Sequence, residues 1–227
     1  MSDVATRLRE VRASIDAAAR RAGRDPAAVH LVAVSKFQPL AAMREAFAAG
    51  QRLFGENYAQ ELREKAKALE DCEGLELHFI GTLQKNKAKY VAPLAAMFHA
   101  LDTLELAKEL DKRAAAAGRV LPVLLEVNLG EAQKGGVAPE AVEPLADAVR
   151  GLAALELRGL MCMPPPADDA EASRPHFRTV AALGSRLGLQ VLSMGMSADY
   201  EVAIEEGATH VRVGTAIFGA RPAPGAR

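Results

Sequence analysis

The feature that most constrains the fold is a rhythm. Apolar, β-branched runs of strand length alternate eight times with longer segments of helical periodicity. The runs lie near residues 30–37, 52–57, 75–81, 97–102, 121–129, 156–163, 190–196 and 210–218. Intervening segments such as Leu40 to Ala49 and Thr103 to Ala117 are rich in Ala, Leu, Glu, Lys and Arg, which lose little freedom in a helix. Gly50, Gly118, Gly188 and Gly207 fall where helices end in a left-handed residue. Parallel strands need a crossover between them, so this order predicts a (β/α)8 TIM barrel, with an open doubly wound sheet as the alternative. An amphipathic helix over about residues 3–22 precedes the first run, whereas only ARPAPGAR follows the last. The N-terminal helix is therefore expected to complete the helical ring. The 227 residues, half of them hydrophobic, suffice for a single barrel domain spanning 1–227.

Charge and cysteine usage narrow the function classes. A formal net charge of -1, with both signs interspersed, gives no basic stripe of the kind nucleic acid requires. The longest apolar stretch, Val91 to Leu101, is too short to span a bilayer and is broken by Pro93 and His99. The N-terminus lacks the uninterrupted apolar core of a secretory signal, and Asp3, Glu10 and Asp16 argue against a transit peptide. Cys72 and Cys162, the only two cysteines, form no close pair for a disulfide framework or a structural zinc. These readings predict a cytoplasmic protein, a monomer by virtue of its self-contained barrel, with no metal, membrane or nucleic-acid partner.

The first run, His30-Leu-Val-Ala-Val-Ser-Lys36, stops on an ammonium. Burying that group unpaired is expensive, so Lys36 either reaches water or does chemistry. Alternation puts Val32, Val34 and Lys36 on one face, and Arg212 and Gly214 on the face opposite Val211 and Val213. Lys36 and Arg212 would then point inward near the C-terminal ends of strands, where barrel sites lie. The loops after runs seven and eight carry Ser193-Met-Gly-Met-Ser197 and Gly214-Thr215, the recurrent phosphate position of this architecture, with Ser197 placed as a helix N-cap. A reactive lysine facing a phosphate cradle suits pyridoxal 5'-phosphate held as a Schiff base. A Schiff-base aldolase acting on a sugar phosphate would look the same. Structural roles compete at several positions: Arg212 as the ion-pair partner of Glu126, His78 as a hydrogen-bonded core residue, and Cys162 as a packed, inert thiol.

The segments LVAVSKFQP, LFGENYAQEL, HFIGTLQKNK, RGLMCMP and LSMGMSADYEVAIEEGATHVRVGTAIFGAR occur in this order along nearly the whole chain. Together they resemble the pyridoxal phosphate homeostasis (YggS/PROSC) family. That resemblance implies a barrel of the alanine racemase N-terminal type that binds pyridoxal 5'-phosphate without a well-established catalytic reaction. It implies a carrier or regulator of the cofactor, with apo enzymes that use pyridoxal phosphate as recipients. Lys36 would form the Schiff base, Ser197, Gly214 and Thr215 would hold the phosphate, Arg212 would face the pyridine nitrogen, and Asn57 would line the ring. An amino-acid racemase is the enzymatic alternative, but the related racemase draws its second acid/base from a C-terminal domain, and this chain is expected to end with the barrel. Leu77 stands where an aromatic is expected, and Asn128 to Lys134 is one residue shorter than the family pattern.

Overall fold

Eight strands close into a parallel barrel in the chain order β1 to β8 in this computed structural model, which describes residues 4–130 and 135–219. The strands are β1 (His30–Val34), β2 (Leu53–Glu56), β3 (Glu76–Phe79), β4 (Met97–Leu101), β5 (Leu121–Val127), β6 (Leu155–Cys162), β7 (Val191–Ser193) and β8 (His210–Val213). The helices are α1 (Val4–Arg21), α2 (Leu40–Ala48), α3 (Ala59–Ala68), α4 (Ala88–Val91), α5 (Leu104–Ala116), α6 (Val142–Arg150), α7 (Arg174–Arg186), α8 (Tyr200–Glu205) and α9 (Thr215–Phe218). Closure runs from His30 opposite His210 to Ala33 opposite Val213.

Local rules account for the helices. In α5, Thr103 Oγ1 accepts from Leu106 N at 3.3 Å, capping the first turn. Leu106, Ala107, Leu110 and Ala114 then form a buried stripe. Between strands and helices lies the main core, where Phe54, Phe79, Phe98 and Leu124 meet Met43, Leu62, Leu110 and Phe177. Each large side chain buried there contributes about 1.5–3 kcal/mol.

The helical ring closes as the chain ends predict. Only four residues form α9, and α1 packs on α8, α9 and α2 to cover the gap. On one side Ser14 Oγ bonds Glu201 at 2.6 Å, and Arg24 Nη1 reaches the carbonyls of Ile204 and Ala208 at 2.7 and 2.8 Å. On the other, Arg12 Nη2 reaches Gly50 O at 2.9 Å and Gln51 Oε1 at 3.0 Å.

The strands are shorter than the apolar runs suggest. The run at 30–37 turns after Val34, and the run at 210–218 splits into β8 and α9. Hydrophobicity persists through these turns because their side chains line the barrel mouth or pack beneath it. Lys134 and the tail ARPAPGAR lie outside the described residues. Among the described residues no helix is long and apolar enough to cross a membrane.

Candidate functional site

The mouth of the barrel is organised around the turn that carries Lys36. Gln38 N donates to Ser35 O at 3.0 Å, which closes a four-residue turn just beyond β1. Its third residue, Phe37, takes a left-handed φ of 63°, a conformation that costs a non-glycine residue about 1–3 kcal/mol. Neighbouring bonds offset this strain. Phe37 N donates to Glu61 Oε2 at 2.8 Å. The Lys65 ammonium, nearly fully buried, donates its three protons to Ser35 O, Glu56 Oε1 and Glu61 Oε2 at 2.7, 2.7 and 2.8 Å. Ser35 Oγ donates to the same Glu56 oxygen. Both chain neighbours of Lys36 are thereby fixed from β2 and α3. Burial pushes the Glu56 carboxyl up in pKa, while Lys65 and Ser35 pull it down.

Lys36 lies in the turn, two residues past the end of its strand, and lines a cavity of about 300 Å³. The same cavity is lined by Asn57, Ser197, Arg212, Gly214 and Thr215, so the six residues singled out from the sequence converge on one space. Val34, Ile80, Met163 and Met196 supply apolar wall. Its volume suits a small-molecule ligand. Another cavity, of about 310 Å³, opens at the opposite end beside Arg12, His30 and Arg52. There the two guanidiniums already bond backbone carbonyls.

Two glycines let loops press against this space. A Cβ at Gly81 would fall 2.5 Å from Asn57 O, so only glycine permits the loop after β3 to lie on Asn57. Gly195 has φ +88°, and a Cβ there would sit 2.6 Å from Ala203 Cβ, which seats the loop after β7 against α8. The expectation that Ser197 caps that helix is corrected here. Helix α8 begins at Tyr200, Asp199 occupies the N-cap position, and Asp199 Oδ1 accepts Met196 N at 2.7 Å. Neither side chain caps the helix: the Asp199 carboxylate turns back onto the loop, and Ser197 stays exposed at the cavity mouth. Thr215 opens α9, with Gly214 preceding it.

Deeper in the barrel, Arg212 is 4% exposed. Nη1 donates to Ser193 O and Ser193 Oγ at 2.6 and 2.7 Å, and Nη2 donates to Cys162 O at 2.8 Å. The ion pair with Glu126 considered from sequence is thus replaced by a serine and two carbonyls, with Glu126 acting through its charge. Three of the five guanidinium protons are used in these bonds, and two remain for a ligand. Burial pushes the Cys162 thiol up to about 12, in keeping with an inert, packed cysteine. Sequence reasoning missed Ser35, Glu56, Glu61 and Lys65. The one available signal was the i,i+4 pair of Glu61 and Lys65 on α3.

The donor set fits pyridoxal phosphate: an amine at the mouth, hydroxyls on the two loops, and a guanidinium below. Asn57 Oδ1 is buried with no hydrogen-bond partner, a group that a ligand donor would satisfy. Among the described residues, no Asp, Glu, His, Cys or Tyr lines the cavity.

Residues 7–222 match the family described as alanine racemase, N-terminal domain. The chain is 49% identical over 224 residues to a pyridoxal phosphate homeostasis protein of Pseudomonas aeruginosa, covering 97% of each. It is 44% identical over 229 residues to one from Escherichia coli K12, covering 97% of this chain and 98% of that one. Among solved structures it is similar to PipY of Synechococcus elongatus with PLP bound, at 37% identity and a TM-score of 0.83, covering 96% of this chain and all of that one. An alanine racemase of Clostridium difficile shares the fold at 14% identity and a TM-score of 0.71. There 96% of this chain covers 57% of the racemase.

Proposed function

Because the chain belongs to the pyridoxal phosphate homeostasis protein family, we propose that it binds pyridoxal 5'-phosphate reversibly through Lys36 and acts as a carrier of the cofactor, without turning over a substrate. When bound, the cofactor supplies an aldehyde to which an amine can bond with loss of water, and water returns both partners. Lys36 Nζ is the amine that this turn presents to the cavity. Ser197 and Thr215 would donate hydroxyl hydrogen bonds to the phosphate beside Gly214, and Asn57 would line the ring.

One observation carries the non-catalytic reading. Of the ionisable side chains lining the cavity among the described residues, only Lys36 and Arg212 are present. Arg212 stays protonated and can only donate. Racemisation needs a second acid/base across the ring from the lysine, and none of these linings supplies one. At the ring nitrogen, the Arg212 guanidinium would also keep that nitrogen an acceptor, which would weaken the electron sink that carbanion chemistry requires. Apo enzymes that need the cofactor are the natural recipients of such a carrier.

The test is spectroscopic and covalent. Protein purified with pyridoxal phosphate is expected to absorb in the visible, and borohydride followed by peptide mapping to place the adduct on Lys36. Ser197→Ala and Thr215→Ala are each expected to weaken affinity roughly ten- to hundredfold, since a hydrogen bond to a charged group contributes about 1.5–3 kcal/mol. An adduct confined to another lysine would remove Lys36 from the site. Lysine-dependent turnover of alanine, serine or lysine at about 1 per second or faster would replace the carrier reading with an enzyme.

A further inference from the structure

Beneath the cavity the barrel interior is polar, where barrels of this kind usually stack branched aliphatic side chains. His78 on β3, His99 on β4, Ser193 on β7 and Arg212 on β8 are all buried. They form one line across the interior. Arg212 Nη1 lies 2.7 Å from Ser193 Oγ, Ser193 Oγ lies 2.9 Å from His99 Nδ1, and His99 Nε2 lies 2.9 Å from His78 Nδ1. At the far rim, Glu76 Oε2 stands 3.6 Å from His78 Nε2. Among the described residues, no group of three or more His, Cys, Asp or Glu is placed to hold a metal ion, so these rings answer to one another.

The two ends of the line fix the direction of its hydrogen bonds. Arg212 only donates, so Ser193 Oγ accepts from it. Because the hydroxyl has a second lone pair, the choice is made at the other end. There Glu76 only accepts and favours a proton on His78 Nε2, which turns the Ser193 proton toward His99 Nδ1. His99 must then carry its proton on Nε2 and donate to His78 Nδ1. His78 in turn carries its proton on Nε2, facing a carboxylate that only accepts. The opposite direction would set the bare His78 Nε2 against Glu76. Burial holds the His99 pKa well below the usual histidine value, aided by His78, His210 and Arg212, which agrees with a neutral ring accepting at Nδ1.

We infer that His99, with His78 behind it, is a positioning residue for the cofactor cavity: by taking the Ser193 hydroxyl proton it leaves Ser193 to receive Arg212 Nη1, and so orients the guanidinium beneath the ligand ring. The functional half of this inference rests on the pyridoxal phosphate reading, whereas the polarity of the line is a property of the protein alone. With Nη1 and Nη2 tethered, the two guanidinium protons not used in these bonds remain for a ligand. Glu76, at the rim, extends the acceptor end of a line that begins at a buried cation with no carboxylate against it.

The inference is tested on the full chain in two ways. Nitrogen NMR of histidine-labelled protein, without cofactor and near neutral pH, is expected to find the His99 proton on Nε2 and its Nδ1 bare. A proton on His99 Nδ1 would overturn the line. Then pyridoxal phosphate is titrated into wild type, His99→Phe and His99→Asn, following affinity and the visible absorption maximum. The Phe variant is expected to bind roughly tenfold more weakly with a shifted maximum. The Asn variant, whose side-chain oxygen can stand near the position of Nδ1, is expected to recover most of both. A folded Phe variant with wild-type affinity and spectrum would overturn the positioning role, and if that variant does not fold, a shifted maximum in the Asn variant no smaller than that of Ser193→Ala would do the same. Wild type that binds no pyridoxal phosphate but shows the His99 proton on Nε2 would instead defeat the cofactor reading and leave the line standing.

Discussion

Lys65→Met is expected to destabilise the protein by about 3–5 kcal/mol, because removing one partner of a buried ion pair leaves the other charge without compensation. The substitution keeps roughly the volume of the side chain and deletes three bonds at once, those to Ser35 O, Glu56 and Glu61. Glu56 is fully buried, and its second carboxylate oxygen already has no hydrogen-bond partner. Urea unfolding is the measurement, and in a domain of this size the loss corresponds to roughly 6–20 °C in thermal midpoint. A second substitution, Glu56→Gln in the same chain, is expected to return part of the stability, since it removes the stranded charge. Full additivity of the two costs would argue that they act separately. Cofactor affinity should fall as well, because the left-handed turn at Phe37 loses the bonds that offset its strain.

The second large effect is acid lability. Burial, followed by the positive fields of His78, His30 and Arg212, lowers the pKa of His210 from 6.5 to about 3. Below pH 6.5 the unfolded chain takes up a proton on this side chain that the folded chain refuses, so stability falls as the pH falls and the loss is complete near pH 3. The cost from His210 is about 2 kcal/mol by pH 5 and about 4 kcal/mol by pH 3. His99 is shifted in the same direction and adds to it. Glu56 and Asp102, whose pKa values burial raises, bind protons earlier when folded and oppose the trend. Denaturant midpoints between pH 7 and pH 5 are expected to decline, and His210→Gln to flatten the slope. A flat profile in the unsubstituted protein would show that the interior admits these protons.

The fold was legible because its determinants are local and repeated. Eight apolar runs, helix formers between them, and glycines past the helix ends each report on a few residues at a time. Short-range parity also carried Arg212 to the inner face, whereas Lys36 reaches the cavity from a turn beyond β1, where alternation no longer applies. The limits of that reading appear where partners are distant in sequence. Ser197 offers a good N-cap signal, yet the helix starts two residues later, from Asp199, whose carboxylate bonds Met196 N and not the helix. Nothing around Lys65 announces that its ammonium reaches Ser35, 30 residues earlier. His78 was readable as a hydrogen-bonded core residue. That its partner is His99, and that His99 leads to Ser193 and Arg212, depends on four strands meeting inside a closed barrel.

The seating of α1 sets a schedule for the nascent chain. The helix is made first, but Glu201 follows its partners Ser14 and Arg21 by 187 and 180 residues, and Ile204 and Ala208 follow Arg24, just beyond the helix, by 180 and 184. At about 5–20 residues per second, translation leaves it waiting for roughly 9–37 s before those partners exist. Throughout that interval α1 has α2 to pack on but neither α8 nor α9. Bringing the two ends together closes a very long loop, so the step that completes the ring belongs to the slow, non-local class of folding events. Ribosome-bound chains arrested before β8 should therefore remain vulnerable to proteolysis within α1, and release of the last strand should confer protection on the first helix.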